Sequence, residues 1–226
     1  MTTEEFSNEF DTLLNSYIIA ITGEQSSKVN ISFDEYEKSV FLTQAQEDVV
    51  QGLYNGKLSG EPFEYNEELK RYLDSLVQTV KLTPSTGASI GVDTKSRFFK
   101  IPNEVWFITY EQAVVENNII KVIPTRQDEW HKIKNNPFRM PSKNKVIRLD
   151  SGEGTIELIA HSPSITEYLI KYVSKPAPII LVDLPDDLSI NGERNITECQ
   201  INTALHRLIL ERAVQLAYRR IPQASK

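Results

Sequence analysis

VWFITYEQAVVENNIIKVI, residues 105–123, decides the fold class. Its two halves, 105–115 and 119–123, are rich in β-branched and aromatic residues, which fit a pleated, half-buried surface. Asn117-Asn118 between them supplies the turn of a hairpin. Further along, 145–150 and 155–161 flank Ser-Gly-Glu-Gly, a four-residue hairpin loop. Residues 164–173 alternate, with Tyr168, Ile170 and Tyr172 on one face and Glu167, Leu169 and Lys171 on the other. Pro176 and Pro178 punctuate a last short strand at 179–182. Residues 128–134 fit one or two helical turns, stopped by Asn135-Asn136-Pro137. The expectation is an antiparallel β part over 98–184, sandwich- or barrel-like.

Helical periods lie on both sides of this segment. Thr2 or Thr3 caps a first helix with Phe6, Phe10, Leu13, Leu14, Tyr17 and Ile21 on one stripe, ended by Gly23. Ser32 with Glu35 and Thr43 with Gln46 are capping-box patterns, so 33–55 reads as one helix or as two joined near Thr43. It buries Leu42, Ala45, Val49 and Leu53. A third helix is predicted over 66–81, with Leu69, Tyr72, Leu73, Leu76, Val77 and Val80 inward. The stretch 82–96 is rich in small and turn-forming residues and reads as a linker or mobile loop. A last helix covers 202–220, with Leu205, Leu208, Ile209, Ala213, Leu216 and Ala217 apolar and Arg207, Arg212, Arg219 and Arg220 read as sitting late in it, where cations suit the helix dipole. Helices, then strands, then a helix make an α+β chain. The expected parts are 1–82 helical, 83–97 linker, 98–184 β and 185–226 helical, the two helical parts packing together.

The composition is that of a folded globular chain: 226 residues, 40% hydrophobic and 25% charged. No apolar run approaches the roughly 20 residues that span a bilayer. The first ten residues, MTTEEFSNEF, lack the pattern of a signal peptide, and Cys199 is the single cysteine, so no intrachain disulfide is expected. The expectation is an interior, non-secreted protein.

Charge is unevenly spread. Residues 121–148 carry eight Lys/Arg against two acids, whereas the first 80 residues hold 15 acids against five Lys/Arg. Such a split suits copies that attract one another head to tail, and equally a solvated basic loop.

Catalytic patterns are missing. His131, His161 and His206 have no second ligand at metal-binding spacing. Cys199, beside Glu198, reads as a small hydrophobe. DSGEGT (150–155) lacks the lysine of a phosphate loop and sits between strands, and DLPDD (183–187) lacks the alternation of a calcium loop. No catalytic residue, metal ligand or cofactor is expected. Trp130 and Phe138 interleave with the basic residues of 121–148, a mix able to contact a nucleic-acid backbone, although the chain's pI is about 5.2.

Four segments, in order, resemble virion proteins of crAss-like tailed bacteriophages. They are SFDEYEKSVFLTQAQEDVVQGLYNG (32–56), RFFKIPNEVWFITYEQAVV (97–115), VIPTRQDEWHKIKNNPFRMPSKNKVIRLD (122–150), and YLIKYVSKPAPIILVDLPDDLSI with TECQINTALHRLILERAVQLA (within 168–217). The last is also similar to the tail-tube adaptor proteins of short-tailed phages. The resemblance implies a ring component of the neck and tail, stacked below the portal and lining the channel through which the genome passes. It implies a closed homo-oligomer, twelvefold to match the portal, with portal and neighbouring ring proteins as partners, no membrane, and host cytoplasm as the place of assembly. It carries over no catalytic residue.

A cyclic ring needs heterologous contacts, one face of each subunit meeting a different face of the next. Aromatic, Met and Arg residues favour interface cores, which points to Arg126, Trp130, Phe138, Arg139 and Met140 as subunit-contact residues. The alternative is that Trp130 and Phe138 fill the β core. Other roles left open are a head-completion or tail-hub component, and an accessory protein touching DNA through 121–148.

Overall fold

The computed structural model describes residues 1–22, 32–60, 63–85 and 91–221, with Ile21, Thr22 and Glu64 described by backbone alone. The chain divides into two units, Val77–Lys175 and Met1–Leu76 with Pro176–Lys226.

The first of these is a curled, half-barrel sheet of seven strands. They are β1 (Val77–Leu82), β2 (Ser96–Lys100), β3 (Val105–Val115), β4 (Asn118–Pro124), β5 (Lys145–Gly152), β6 (Thr155–Ile159) and β7 (Ile165–Ser174), in the spatial order β1-β7-β3-β4-β5-β6-β2. The register of β3 against β7 shifts at three places. Such bulges bend and over-twist a strand, which suits a sheet that curls. At its ends the chain leaving β1 comes against β2, where the Ser85 N–H donates to the Phe98 carbonyl at 2.7 Å.

Both expected hairpins form, with tighter turns than the sequence implied. Glu116 and Asn117, at φ 50° and 65°, make the β3–β4 loop, and Asn118 already belongs to β4. Gly152 pairs with Thr155, so the β5–β6 loop shrinks to Glu153 and Gly154, at φ 50° and 66°. Two consecutive left-handed residues match the twist of the strands they join.

The sheet is not wholly antiparallel. β4 and β5 run parallel, Lys121 opposite Lys145 through Pro124 opposite Arg148. A parallel pair cannot close by a tight turn and needs a crossover. The crossover here is 125–144, which includes a 3-10 turn (Gln127–Glu129) and the short helix α4 (Trp130–Ile133). One face of the sheet holds Phe99, Ala113, Val122, Val146, Leu158, Tyr168 and Ile170. Trp130 and Ile133 pack with Ile147, Leu149 and Ile159, which alternate with Val146 and Leu158 and so point to the opposite face.

The other unit is helical: α1 (Thr3–Thr22), α2 (Glu35–Tyr54), α3 (Glu67–Tyr72) and α5 (His206–Arg220). Phe6, Phe10, Leu14 and Ile18 form the buried stripe of α1, whereas Tyr17 is exposed. Gly23, expected to end it, lies outside the described residues, as do 86–90 of the expected linker. α2 is one continuous helix, and its capping box uses Asp34 and Glu37 instead of Ser32 and Glu35. The helix expected over 66–81 stops at Tyr72. Leu69, Leu73 and Leu76 are buried at helical spacing, but Val77, Thr79 and Val80 are β-branched and pair with β7 in β1.

The strand expected at 179–182 has no sheet partner beyond an isolated bridge, Ile180 to Thr197. Polar residues of α2 serve its backbone instead. Ser39 Oγ accepts from the Leu181 N–H at 3.0 Å, Thr43 Oγ1 accepts from the Ile179 N–H at 3.1 Å, and Gln46 Nε2 donates to the Ala177 carbonyl at 2.7 Å. All three side chains are buried, and their spacing puts them on one helix face. Lys38 is buried too, its Nζ 2.8 Å from Asp11 and 3.0 Å from Glu35, which fastens α1 to α2. Burial alone would lower its pKa, but the hydrogen bonds and charges of Asp11 and Glu35 outweigh it, so Lys38 lies above the ordinary lysine value.

Candidate assembly interface

The crossover that parallel pairing demands is also the basic island. Its backbone is locally braced. Asn136 Oδ1 accepts from the Phe138 N–H at 2.9 Å, the Asn136 carbonyl accepts from the N–H groups of Arg139 at 3.0 Å and Met140 at 2.8 Å, and Lys145 Nζ donates to the Phe138 carbonyl. This turn leaves Phe138 91% exposed and Met140 42% exposed.

The five residues singled out from sequence separate into two groups. Arg126, Phe138, Arg139 and Met140 are on the surface, Arg126 beside Asp128 at 3.1 Å and Arg139 beside Glu129 at 3.7 Å. Trp130 is not a surface residue. It is 3% exposed among Ile133, Ile147, Leu149 and Ile159, because the crossover needs an apolar anchor to lie on the sheet. Trp130 and Met140 meet at the wall of a small recess of about 120 Å³, which His161 also lines. Among the described residues Trp130 Nε1 and His161 Nδ1 have no hydrogen-bond partner.

Six island cations, Lys121, Arg126, Lys132, Lys134, Arg139 and Lys143, are exposed. Arg148 is not among them. It turns into the sheet, donates to Glu111 at 2.7 Å and approaches Asp150 at 3.4 Å, while Tyr168 Oη donates to the other Glu111 oxygen at 2.6 Å. Burial would lower the arginine's pKa, but Glu111 and Asp150 keep it above the ordinary value; burial and then Glu111 push the Tyr168 phenol up. By unit, Met1–Leu76 with Pro176–Lys226 carries 21 acids against 11 Lys/Arg, a net of −10, and Val77–Lys175 carries 14 Lys/Arg against 10 acids, a net of +4. The two units are oppositely charged.

The helical unit has a larger concavity. A groove of about 440 Å³ runs between α2 and α5, with Val49, Gly52, Leu58 and Leu208 among its lining residues. Leu58 is 53% and Leu208 36% exposed. Asp48 accepts twice from Arg212 at its side, at 2.8 and 3.0 Å.

The groups weighed as chemistry have structural surroundings. Burial lifts the Cys199 thiol above its ordinary pKa, and its Sγ donates to Gln46 Oε1 at 3.3 Å. Asp183 accepts from the Ile196 N–H at 2.8 Å and Asp186 pairs with Arg194 at 3.1 Å, so DLPDD closes its own loop. Among the described residues no group of three His, Cys, Asp or Glu side chains is placed to hold a metal ion.

The family model for phage tail ring protein 3/4 matches residues 1–225. The chain belongs to this family. It is similar to Ring protein 3 of Bacteroides phage crAss001, at 46% identity over 96% of this chain and 95% of the relative. It is also similar to Ring protein 4/5 of the same phage, at 29% identity over 96% and 92% of the two chains. The resemblance carried by the four sequence segments therefore extends over nearly the whole chain, and the protein is a structural ring protein of a phage tail. For such a protein the exposed crossover and the opposite charges of the two units are the features of interest. The half-buried Arg148 and the groove between α2 and α5 had no sequence signal, since they depend on strand pairing and on helix packing, whereas Asn135-Asn136-Pro137 did mark the turn at 136–140.

Proposed function

We propose that this chain forms a closed homo-oligomeric ring, non-enzymatic, in the neck and tail below the portal, joining head to tail and lining the channel through which the genome leaves. The observation that carries this is the near full-length match to Ring protein 3, 46% identical over 96% of this chain and 95% of the relative. The opposite net charges of the two units support heterologous contact between copies, since like patches cannot face each other in a cyclic ring. Arg126, Phe138, Arg139 and Met140 are the contact residues on the basic side. The ring is twelvefold, matching the portal, and stacks on the portal or on other tail ring proteins. It assembles in the host cytoplasm. A lumen lined by the acidic unit would let DNA slide without being held, because DNA affinity scales with the phosphates that cations neutralise.

Electron micrographs of the purified protein, alone and mixed with neighbouring ring proteins, test the reading. Closed rings of uniform diameter are expected. Monomers under every condition would count against it.

A second reading rests on the six exposed cations of the crossover and the exposed Phe138 beside them. Here the island touches the packaged genome. DNA retention that falls steeply with salt, and disappears on Lys132→Glu with Lys134→Glu, would favour it.

A further inference from the structure

Among the exposed apolar features of the described residues, two could fit as knob and hole. Phe138 is a knob: it is 91% exposed at the tip of a turn whose backbone is held by Asn136 and Lys145. The groove between α2 and α5 is a hole of about 440 Å³, with Leu58 and Leu208 exposed in it. A large aromatic side chain held in water by a braced turn forgoes burial of roughly 150–250 Å². Aromatic side chains seated in a partner's pocket are the usual anchors of an interface.

We infer that Phe138 of one copy seats in the groove between α2 and α5 of the next copy. The occupant is a second copy of this chain, and charge is the reason. The knob belongs to the unit with a net of +4, next to Arg139 in the chain and with Lys145 Nζ on its carbonyl; the hole belongs to the unit with a net of −10. Within the groove, acids and bases balance, Asp48 and Glu211 against Lys57 and Arg212. Steering therefore comes from the unit as a whole, and the local fit from apolar contact. Arg139, 3.7 Å from Glu129, adds positive charge beside the knob, and Glu211 in the groove is already held by Arg207 at 2.9 Å. Knob and hole are different surfaces, so the contact is heterologous and repeats from copy to copy, as a ring requires. This inference rests on the ring reading above and specifies its contact.

The test uses full-length chains mutated at one end of the contact only. Phe138→Asp spoils the knob; Leu208→Asp spoils the hole, with Leu58→Asp as an independent second variant. Circular dichroism checks that each variant folds. Alone, each should self-associate at least about 30-fold more weakly than wild type, the size of a hot-spot loss. Mixed in equal amounts, a knob variant and a hole variant retain one intact contact between them. They should form a heterodimer and stop there, which sedimentation or native mass spectrometry reads directly. Variants that assemble like wild type, or a mixture that gives no heterodimer while wild type forms rings, would overturn the inference and leave the ring reading standing. Wild-type protein that stays monomeric both alone and mixed with neighbouring ring proteins would overturn both.

Discussion

Trp130 and Phe138 belong to one crossover and have opposite surroundings, the indole 3% exposed on the sheet and the phenyl ring 91% exposed at the tip of the turn. The first fixes the crossover to the fold; the second is the side chain proposed above to meet a neighbouring copy. Truncating each should therefore affect different measurements. Trp130→Ala removes a buried aromatic from the cluster with Ile133, Ile147, Leu149 and Ile159 and should cost about 3–5 kcal/mol of folding stability in denaturant titration. Phe138→Ser should change stability by no more than about 0.5 kcal/mol, as expected of a surface site, and yet weaken assembly.

Glu111 is the acceptor for both Arg148 and Tyr168 across the sheet, with only 8% of its side chain and 14% of that of Arg148 exposed. Breaking a buried pair from one side leaves an uncompensated charge. Glu111→Leu should destabilise the protein by about 3 kcal/mol, because Asp150, at 3.4 Å and 70% exposed, is a poor replacement partner. Tyr168→Phe removes one hydrogen bond to a charged group and should cost about 1.5–3 kcal/mol. Thermal melts of both variants check the order; equal losses would mean that the ion pair is not what holds the strands.

The hydroxyls of Ser39 and Thr43 stand in for a strand partner to residues 179–181. Thr43→Val keeps the shape and strands the Ile179 N–H, which should cost about 1–3 kcal/mol. Hydrogen exchange at Ile179 and Leu181 should speed up in Thr43→Val and Ser39→Ala respectively, while exchange in β3 and β7 stays slow.

His206 sets a pH dependence. Its ring is buried beside Phe6, centroids 5.3 Å apart, with Nε2 3.0 Å from the Ile201 carbonyl and Nδ1 2.8 Å from the Met1 nitrogen. Burial, the largest influence, pushes its pKa below the ordinary 6.5. The unfolded chain then binds the proton more readily than the folded one, so stability rises with pH across that interval. The contribution is complete above about pH 6.5 and is lost as pH falls from there toward the folded value. Denaturant midpoints between pH 7.5 and 5 should fall for wild type and fall less for His206→Gln; parallel slopes would assign the acid sensitivity elsewhere.

Much of this architecture was legible from local pattern. The β-branched and aromatic composition of 105–115, the alternation of 164–173 and the stripes of α1, α2 and α5 are short-range signals, and they located the elements to within a few residues. Where local pattern failed, a distant partner decided. Val77–Leu82 continued the period of a helix, and β7 claimed it as a strand. Residues 179–182 had strand composition, and α2 side chains took the place of a sheet. The parallel β4–β5 pair has no sequence signature at all, yet it fixes where the basic island lies. Within the basic segment, composition could not tell the buried Trp130 from the exposed Phe138, since both are aromatics among cations. Only the crossover's need for an apolar anchor separates them.

The central claim is that many copies of this chain close into a ring within the virion. Native mass spectrometry of neck and tail complexes released from particles tests it most directly. The expected mass is that of many copies, twelve for a match to the portal, in complex with portal or other ring proteins. A single copy in those complexes, or a chain absent from the particles, would contradict it.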